Sequence, residues 1–592
     1  MPDTSYNGAA PISLYVGDQP VIAVHTGQSV SAQLPAPTLT VTAGDEEILL
    51  EWSAVPGATG YRVGHNFNGG WETVDPPETL SRLLTHFTNG VPVTMHVQAL
   101  PGGAVATAIA TPTVPAVPEA GLAWALDYTT LRNSPKKVLA HYFGPYPRSI
   151  NNAATISQDN YRVYYNNPSY SEYVTVGGMF RDRPIFRPPI SGDYKYQDAV
   201  YYIEQARAAG IDGFYCDLLG LSGTNYDNYL KMIQAAHDLN NGFVVAPMVD
   251  ANGATASASV AQAADHIRKY ALTGGVGSAR RNGAWFLDDG RFVVGSFKVE
   301  GKTAAWWQSL FDQLQTAWGL TVAFVGVAVN SNTLPNYQSI QWASGAWGYG
   351  ADPKVIRAAS NQAAASRSRG ELAHGAIEFQ QIRPAVNNGN WFDEALNSEA
   401  LRASWEKCVN ENADHAQMTT WNDFSETPMA PSVQHGWCVL DVSTYYIARW
   451  KTGQYPTILR DCLYLSHRSQ MLGATLTGPM NNPMSQNLRG GNVSALRNDA
   501  EVLCFLTAPA TITLTIDGVD HTYSAPAGLS AFHQAVTPGA ISATATRGSA
   551  VVAEVTSPVA VRTSDVSDDY GYYWFSSLRG TTGQFDVLGQ YR

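Results

Sequence analysis

Between residues 136 and 424, eight short apolar runs alternate with amphipathic stretches, and no other feature restricts the chain as much. The runs are KKVLAHYFG (136–144), GIDGFYCDLL (210–219), GFVVAPMVD (242–250), RFVVGSFKV (291–299), LTVAFVGVAV (320–329), SIQWASGAWG (339–348), GAIEFQQIR (375–383) and AQMTTWNDF (416–424). The intervening segments carry helical periodicity. DAVYYIEQARAAG (198–210) opens on Asp198 as a cap and stops at Gly210, and 225–242 places Tyr229, Met232, Ile233 and Ala236 on one face. Strands alternating with helices favour a parallel (β/α)8 (TIM) barrel over 136–455. An open doubly wound sheet is the alternative, but no GxGxxG follows the first strand and no GxxxxGK occurs.

The flanks read differently. PAPTLTVTAGDEEILLEWSAVPGATGYRV alternates apolar and polar residues and breaks at Gly and Pro, so 35–101 reads as a small β-sandwich. Its Trp52, Tyr61 and "LTHFTNGVPVTMHVQAL" resemble a fibronectin type III domain, with Val93 where that family usually has its strand-F tyrosine. Residues 1–34 read as a β-rich attachment segment, in which LYVGDQPV (14–21) is weakly repeated by VHTGQSVS (24–31). The Ala/Pro/Thr-rich composition after 101 makes 102–135 a linker. Beyond 456, ATITLTIDGVDHTYSAP with its Asp517-Gly518 turn, and a second such unit around Arg547-Gly548, predict a C-terminal β-sandwich to 592. The expected fold is therefore multidomain: a barrel between two sandwiches.

Catalytic side chains of such barrels sit at the C-terminal ends of the strands. Those ends offer His141 and Tyr142, Asp217, Asp250, Trp342, Gln380 and Gln381, and then Trp421, Asn422, Asp423 and Glu426. A lone Asp after a strand is often a turn or helix cap. Asp423 and Glu426 stand closer than carboxylates do without a use. Hydrolysis of a glycosidic bond needs one carboxylic acid and one carboxylate, and crowding two carboxyls in a desolvated cleft raises the pKa of one. From spacing alone, a turn-capping Asp423 and a solvated Glu426 fit as well.

"VLAHYFGPYPRSINN", "GGMFRDRPIFRPP", "GIDGFYCDLLGLSG", "APMVD" and "TTWNDFSET" together resemble glycoside hydrolase family 71. The resemblance implies an inverting hydrolase of α-1,3-glucan on a (β/α)8 barrel. It makes Asp423 and Glu426 the catalytic pair; because Asp423 sits nearer the strand end, beside Asn422, Glu426 is assigned as acid and Asp423 as base. It makes Asp217 and Asp250 cleft carboxylates, and His141, Tyr142, Trp342, Gln380, Trp421 and Asn422 are expected to line the substrate. Ser425 stands where the family typically reads Gly.

The net charge of -12 argues against nucleic acid or an anionic membrane as partner. No apolar run approaches the length of a membrane helix. No zinc spacing, H-E-x-x-H or G-x-S-x-G occurs, so neither a cofactor nor a metal is expected. The five cysteines read as buried thiols, Cys216 among them despite its neighbour Asp217. Arg181, Arg183 and Arg187 read as anchors in preference to an anion clamp. MPDTSYNGAAPISLYVG has no basic stretch followed by an apolar core, so it does not read as a signal peptide. "LYVGDQPVIAVHTG" before a fibronectin-like module resembles the front of minor tail proteins of actinobacterial phages. That resemblance implies a virion location, with host glycan and other tail proteins as partners. A non-catalytic tail adhesin is the alternative function.

Overall fold

The computed structural model describes residues 14–16, 19–21, 33–43, 47–66, 71–74, 78–85, 87, 91–112, 121–164, 173–253, 257–385, 390–426, 428–488 and 491–579. The chain forms two compact units, Met1–Ala116 and Val117–Arg592.

In the first unit, Leu14–Val16 and Gln19–Val21 pair antiparallel. The second copy of the weak repeat, 24–31, lies outside the described residues. Two further sheets follow. One joins Leu39–Ala43, Glu47–Trp52 and Ser81–Thr85; the other orders Trp71–Val74, Gly60–His65, Val93–Leu100 and Val105–Ala110. Strand 93–100 buries every second residue, so Val93, Met95, Val97 and Ala99 join Ile48, Leu50, Trp52, Tyr61 and Val63 in one core. Val93 is core here, and the Tyr61 hydroxyl instead accepts a hydrogen bond from Val55 N at 2.8 Å. The stretch expected as linker, 102–135, contains the strand 105–110 and a helix at Tyr128–Asn133. Its Ala/Thr composition concealed a regular two-residue alternation.

The second unit holds a closed barrel of eight parallel strands: β1 (Lys137–Tyr142), β2 (Gly213–Asp217), β3 (Val244–Asp250), β4 (Phe292–Phe297), β5 (Val322–Ala328), β6 (Ala343–Ala346), β7 (Leu372–Ile377) and β8 (His415–Met418). β8 pairs with both β7 and β1, which closes the ring. Successive side chains of a strand point to opposite faces. Leu139, Tyr215, Ala246, Met248, Val293, Val325 and Ala343 therefore fill the interior. Their neighbours Val138, Ala140, Phe214, Cys216, Val245 and Phe324 pack outward with Ile203, Met232, Ile267, Trp307 and Trp405 of the helices. Burial on both faces explains why the strands read as continuous apolar runs.

The helix at Gly223–Leu239 buries Tyr229, Met232, Ile233 and Ala236, the face its periodicity predicts. The helix expected to start at Asp198 runs instead over Tyr194–Ala208, and its cap is Asp193. Asp198 is buried inside it, paired with Arg187 through Nε–Oδ1 at 2.6 Å and Nη2–Oδ2 at 2.5 Å. A capping signal and an ion-pair partner are the same residue type, and only the tertiary partner separates them. Arg181 and Arg183 are likewise buried against Asp568 and Asp159, so all three arginines serve as anchors.

The C-terminal region carries two four-stranded antiparallel sheets, ordered 528–535, 499–506, 462–468, 572–576 and 519–525, 510–516, 541–547, 550–556. They share a core of Leu463, Leu465, Val502, Ile512, Leu514 and Phe575. The Asp517-Gly518 turn takes positive φ at both residues, 48° and 78°, as a two-residue hairpin of this chemistry requires. Buried polar ties bind this region to the barrel. Arg468 Nη2 donates to both oxygens of Glu394, at 2.9 and 3.0 Å, and the Tyr572 hydroxyl donates to Glu394 Oε1 at 2.7 Å. All five cysteines are buried free thiols, so a reductant is expected to leave the melting temperature unchanged in differential scanning calorimetry. Among the described residues no helix is long and apolar enough to cross a membrane.

Candidate active site

The period of two decides which strand-end residues reach the barrel mouth. On β1, His141 follows Leu139 inward, and Tyr142 faces the other way. Tyr142 is buried among Phe214, Tyr202 and Tyr229 behind the strand, so it does not line the cleft. On β2, Asp217 follows Tyr215 inward, and His141 Nε2 stands 3.4 Å from Asp217 Oδ2. On β3, Asp250 follows Met248; its Oδ1 accepts from Asn252 N at 2.7 Å. Burial, and then the charge of Asp217, push the Asp250 carboxyl up to about 6.

β8 ends at Met418, six residues before the end of the run 416–424, so the Trp-Asn-Asp segment is loop. Thr419 N still bonds Ile377 O at 2.9 Å and Trp421 N bonds His141 O at 2.7 Å, which fixes the loop between β7 and β1. Asn422 is fully buried. It accepts from Phe143 N at 2.7 Å and donates to Phe143 O at 2.9 Å and Tyr146 O at 2.5 Å. It is therefore a strut between the last loop and the first, with both amide hydrogens engaged there. Trp421 is 0% exposed and packs behind the strands on Phe214 and Tyr202.

Two further expectations move. Trp342 precedes β6 and meets Trp285 and His415, the first residue of β8, so it lies at the opposite end of the barrel. Trp347, five residues on, is the ring at the mouth. It meets His141 edge-on at 4.7 Å and Phe297 at 4.5 Å. Gln380 is buried between Gln434 Oε1 (2.9 Å) and Tyr572 N (3.0 Å), a structural bridge. Its neighbour Gln381 faces the site, donating to Glu426 Oε2 at 3.4 Å.

Asp423 and Glu426 converge at this mouth. Ser425 donates to Asp423 Oδ1 through both N (3.1 Å) and Oγ (2.6 Å), a second donor that glycine at 425 would lack. Glu426 Oε1 lies 3.1 Å from Arg383 Nε. Burial first, and then the charge of Glu426, push Asp423 up to about 7; the Ser425 bonds oppose this and Asp217 adds to it. Burial also raises Glu426, but Arg383, Gln381 and His141 hold it back. Burial first, and then the charge of Asp423 with a smaller part from Glu426, raise the Tyr146 hydroxyl far above its ordinary value. Thus His141, Asp217, Asp250, Asp423 and Glu426 form one electrostatic cluster, edged by Trp347, Phe297, Tyr146 and Arg383. Parity along β4 and β6 points to Phe297 and Trp347; nothing in the sequence marks Tyr146, which comes from a loop, or Arg383, which ends the two-residue strand Ile382–Arg383.

An eight-stranded parallel barrel with crowded carboxyls at the C-terminal mouth, beside aromatic rings, is an arrangement suited to glycoside hydrolysis. Residues 186–582 match the model of glycosyl hydrolase family 71, a span that begins after β1, and the chain belongs to that family. A search of curated proteins finds no match. Among solved structures, the GH99 endo-α-mannosidase of Bacteroides thetaiotaomicron is 12% identical with a TM-score of 0.39, covering 53% of this chain and 97% of its own. A family 2 glycosyl hydrolase of Bacteroides cellulosilyticus is 8% identical with a TM-score of 0.35, covering 88% and 63%. The FN3tt structure is 18% identical with a TM-score of 0.13, covering 14% and 98%. Among the described residues no group of three or more His, Cys, Asp or Glu is placed to hold a metal ion.

Proposed function

We propose that this glycoside hydrolase cleaves α-1,3-glucan, or a related cell-surface polysaccharide, by an inverting acid–base mechanism on Asp423 and Glu426. The observation that carries the reading is the pair itself: two carboxyls at one mouth, one raised to about 7 and the other held beside a guanidinium. Between them they keep one proton near neutrality, the state in which one member can protonate the leaving oxygen while the other activates water. Trp347 and Phe297 offer apolar edges to a pyranose, and His141, Asp217 and Asp250 offer hydrogen bonds to its hydroxyls. The α-1,3 linkage and inversion come from the family resemblance of the sequence motifs.

Asp423 is pushed up to about 7, whereas Arg383, Gln381 and His141 oppose the rise of Glu426. These directions favour Asp423 as donor, the reverse of the order expected from chain position. A glucosyl fluoride, whose leaving group needs no acid, separates the two. Fluoride release retained by Asp423→Asn and lost in Glu426→Gln supports Asp423 as donor, and the reverse pattern supports Glu426.

The pH profile follows from the same shifts. Activity needs one proton on the pair. It is expected to fall as pH rises through about 7, where Asp423 ionises. It is also expected to fall on the acid side, at a pH above the usual glutamate range, where Glu426 protonates. Initial rates on soluble α-1,3-glucan oligosaccharides between pH 4 and 9 test this; a rate constant to pH 9 contradicts it.

We further propose that the protein acts as a tail-associated depolymerase at a host surface, on the resemblance of residues 14–27 and the fibronectin-like segment to tail-protein front ends. Mass spectrometry of purified virions tests that context. The adhesin alternative requires a mouth that binds glucan without cutting it.

A further inference from the structure

Glu426 is gripped from outside its own loop. Ile382 N donates to Glu426 O at 3.0 Å, Gln381 Nε2 to Oε2 at 3.4 Å, and Arg383 Nε faces Oε1 at 3.1 Å. Three consecutive residues thus hold its main chain and both carboxylate oxygens. They are not a free loop. Ile382–Arg383 pairs antiparallel with Trp391–Phe392, which pairs in parallel with Ser485–Gln486 from the C-terminal region. Ile382, Phe392 and Met484 share a small core, with Tyr570 packed on it. The sheet therefore joins the catalytic mouth to the sandwich.

We infer that Arg383 is a positioning residue that fixes Glu426 as the charged member of the pair, and that the small sheet on which it rides transmits this constraint from the C-terminal region. The inference rests on the acid–base reading of Asp423 and Glu426. The groups that face Glu426 are Asp423 on its own loop, His141 on β1, Tyr146 on the loop after β1, and Gln381 and Arg383 on the sheet; Asp217 acts through Asp423. Of these, only Arg383 carries a positive charge that no accessible pH removes. Its side chain is 40% exposed and that of Glu426 27%, so solvent screens the pair and little folding energy rests on it. The contact is therefore suited to setting where a proton sits and poorly suited to holding the fold.

The test compares Arg383→Met, Arg383→Lys and Glu426→Gln in the full chain, with melting temperature and rate against pH as readouts. Arg383→Met is expected to keep the wild-type melting temperature and to move the acid limb of the pH profile upward by about one unit. It should lower kcat more than it raises KM. Arg383→Lys, which keeps the charge, should return the limb most of the way. An unmoved or downward-shifted limb in Arg383→Met, with Glu426→Gln inactive, overturns the role of Arg383 alone. So does a lysine variant that behaves like the methionine one. A Glu426→Gln variant at wild-type rate overturns the acid–base reading itself, and the inference with it.

Discussion

Asp423→Asn and Glu426→Gln are each expected to slow the release of reducing sugar from insoluble α-1,3-glucan by roughly 10²–10⁴-fold, the usual scale of a positioned proton-transfer group. Both changes are isosteric, so the hydrogen bonds from Ser425 to position 423 and from Gln381 to position 426 have an acceptor in either variant. Neither removes a buried apolar group. Asp423→Asn also relieves the cost of burying a carboxyl beside Glu426, so its melting temperature should equal or exceed that of the wild type. Loss of rate in a protein at least as stable separates chemistry from misfolding. Three proteins with one common rate would leave the adhesin as the surviving reading.

The second large effect concerns stability. Arg468→Met is expected to cost about 3–5 kcal/mol of unfolding free energy, because it strands Glu394 with no cation in a fully buried site. Among the described residues, the Tyr572 hydroxyl and the Leu396 amide would remain as donors to that carboxylate. Adding Glu394→Gln in the same chain should recover a substantial part of the loss, since the residual charge is then gone. Urea denaturation of the two single variants and the double variant measures the coupling. A single variant within 1 kcal/mol of the wild type would contradict the view that this pair ties barrel to sandwich.

Much of this architecture is legible in the sequence, for reasons that separate by residue. The barrel strands were visible because burial on both faces makes them apolar throughout. The same property hid their parity: a run with no polar face does not say whether His141 or Tyr142 points inward. Counting in twos from Leu139 through β1 would have kept His141 and rejected Tyr142. In the sixth run, Ala343, Gly345 and Trp347 share a face, and distance along the strand separates Trp347 at the mouth from Trp342 at the far end. Gln380, Trp421 and Asn422 were misassigned for another reason. Each is polar or aromatic at a strand end, as a substrate-binding residue would be, but each is consumed by a partner far away in sequence. Gln380 meets Gln434 and Tyr572, Trp421 meets Tyr202 and Phe214, and Asn422 meets Phe143 and Tyr146. Spacing carries no information about such partners. Arg383 was hidden for the same reason, since its significance depends on strand pairings with 391–392 and 485–486.

The bridge from Gln434 through Gln380 to Tyr572 has a consequence for how the molecule is made. A ribosome delivers His141, Asp217, Asp250 and Glu426 well before the strand at 572–576 emerges. Until then Gln380 Oε1 lacks the Tyr572 amide that it accepts from in the finished fold, although every barrel strand has already been translated. A chain stopped between residues 435 and 571 keeps His141, Asp217, Asp250, Asp423 and Glu426 but loses the Tyr572 end of that bridge, and it is expected to be inactive.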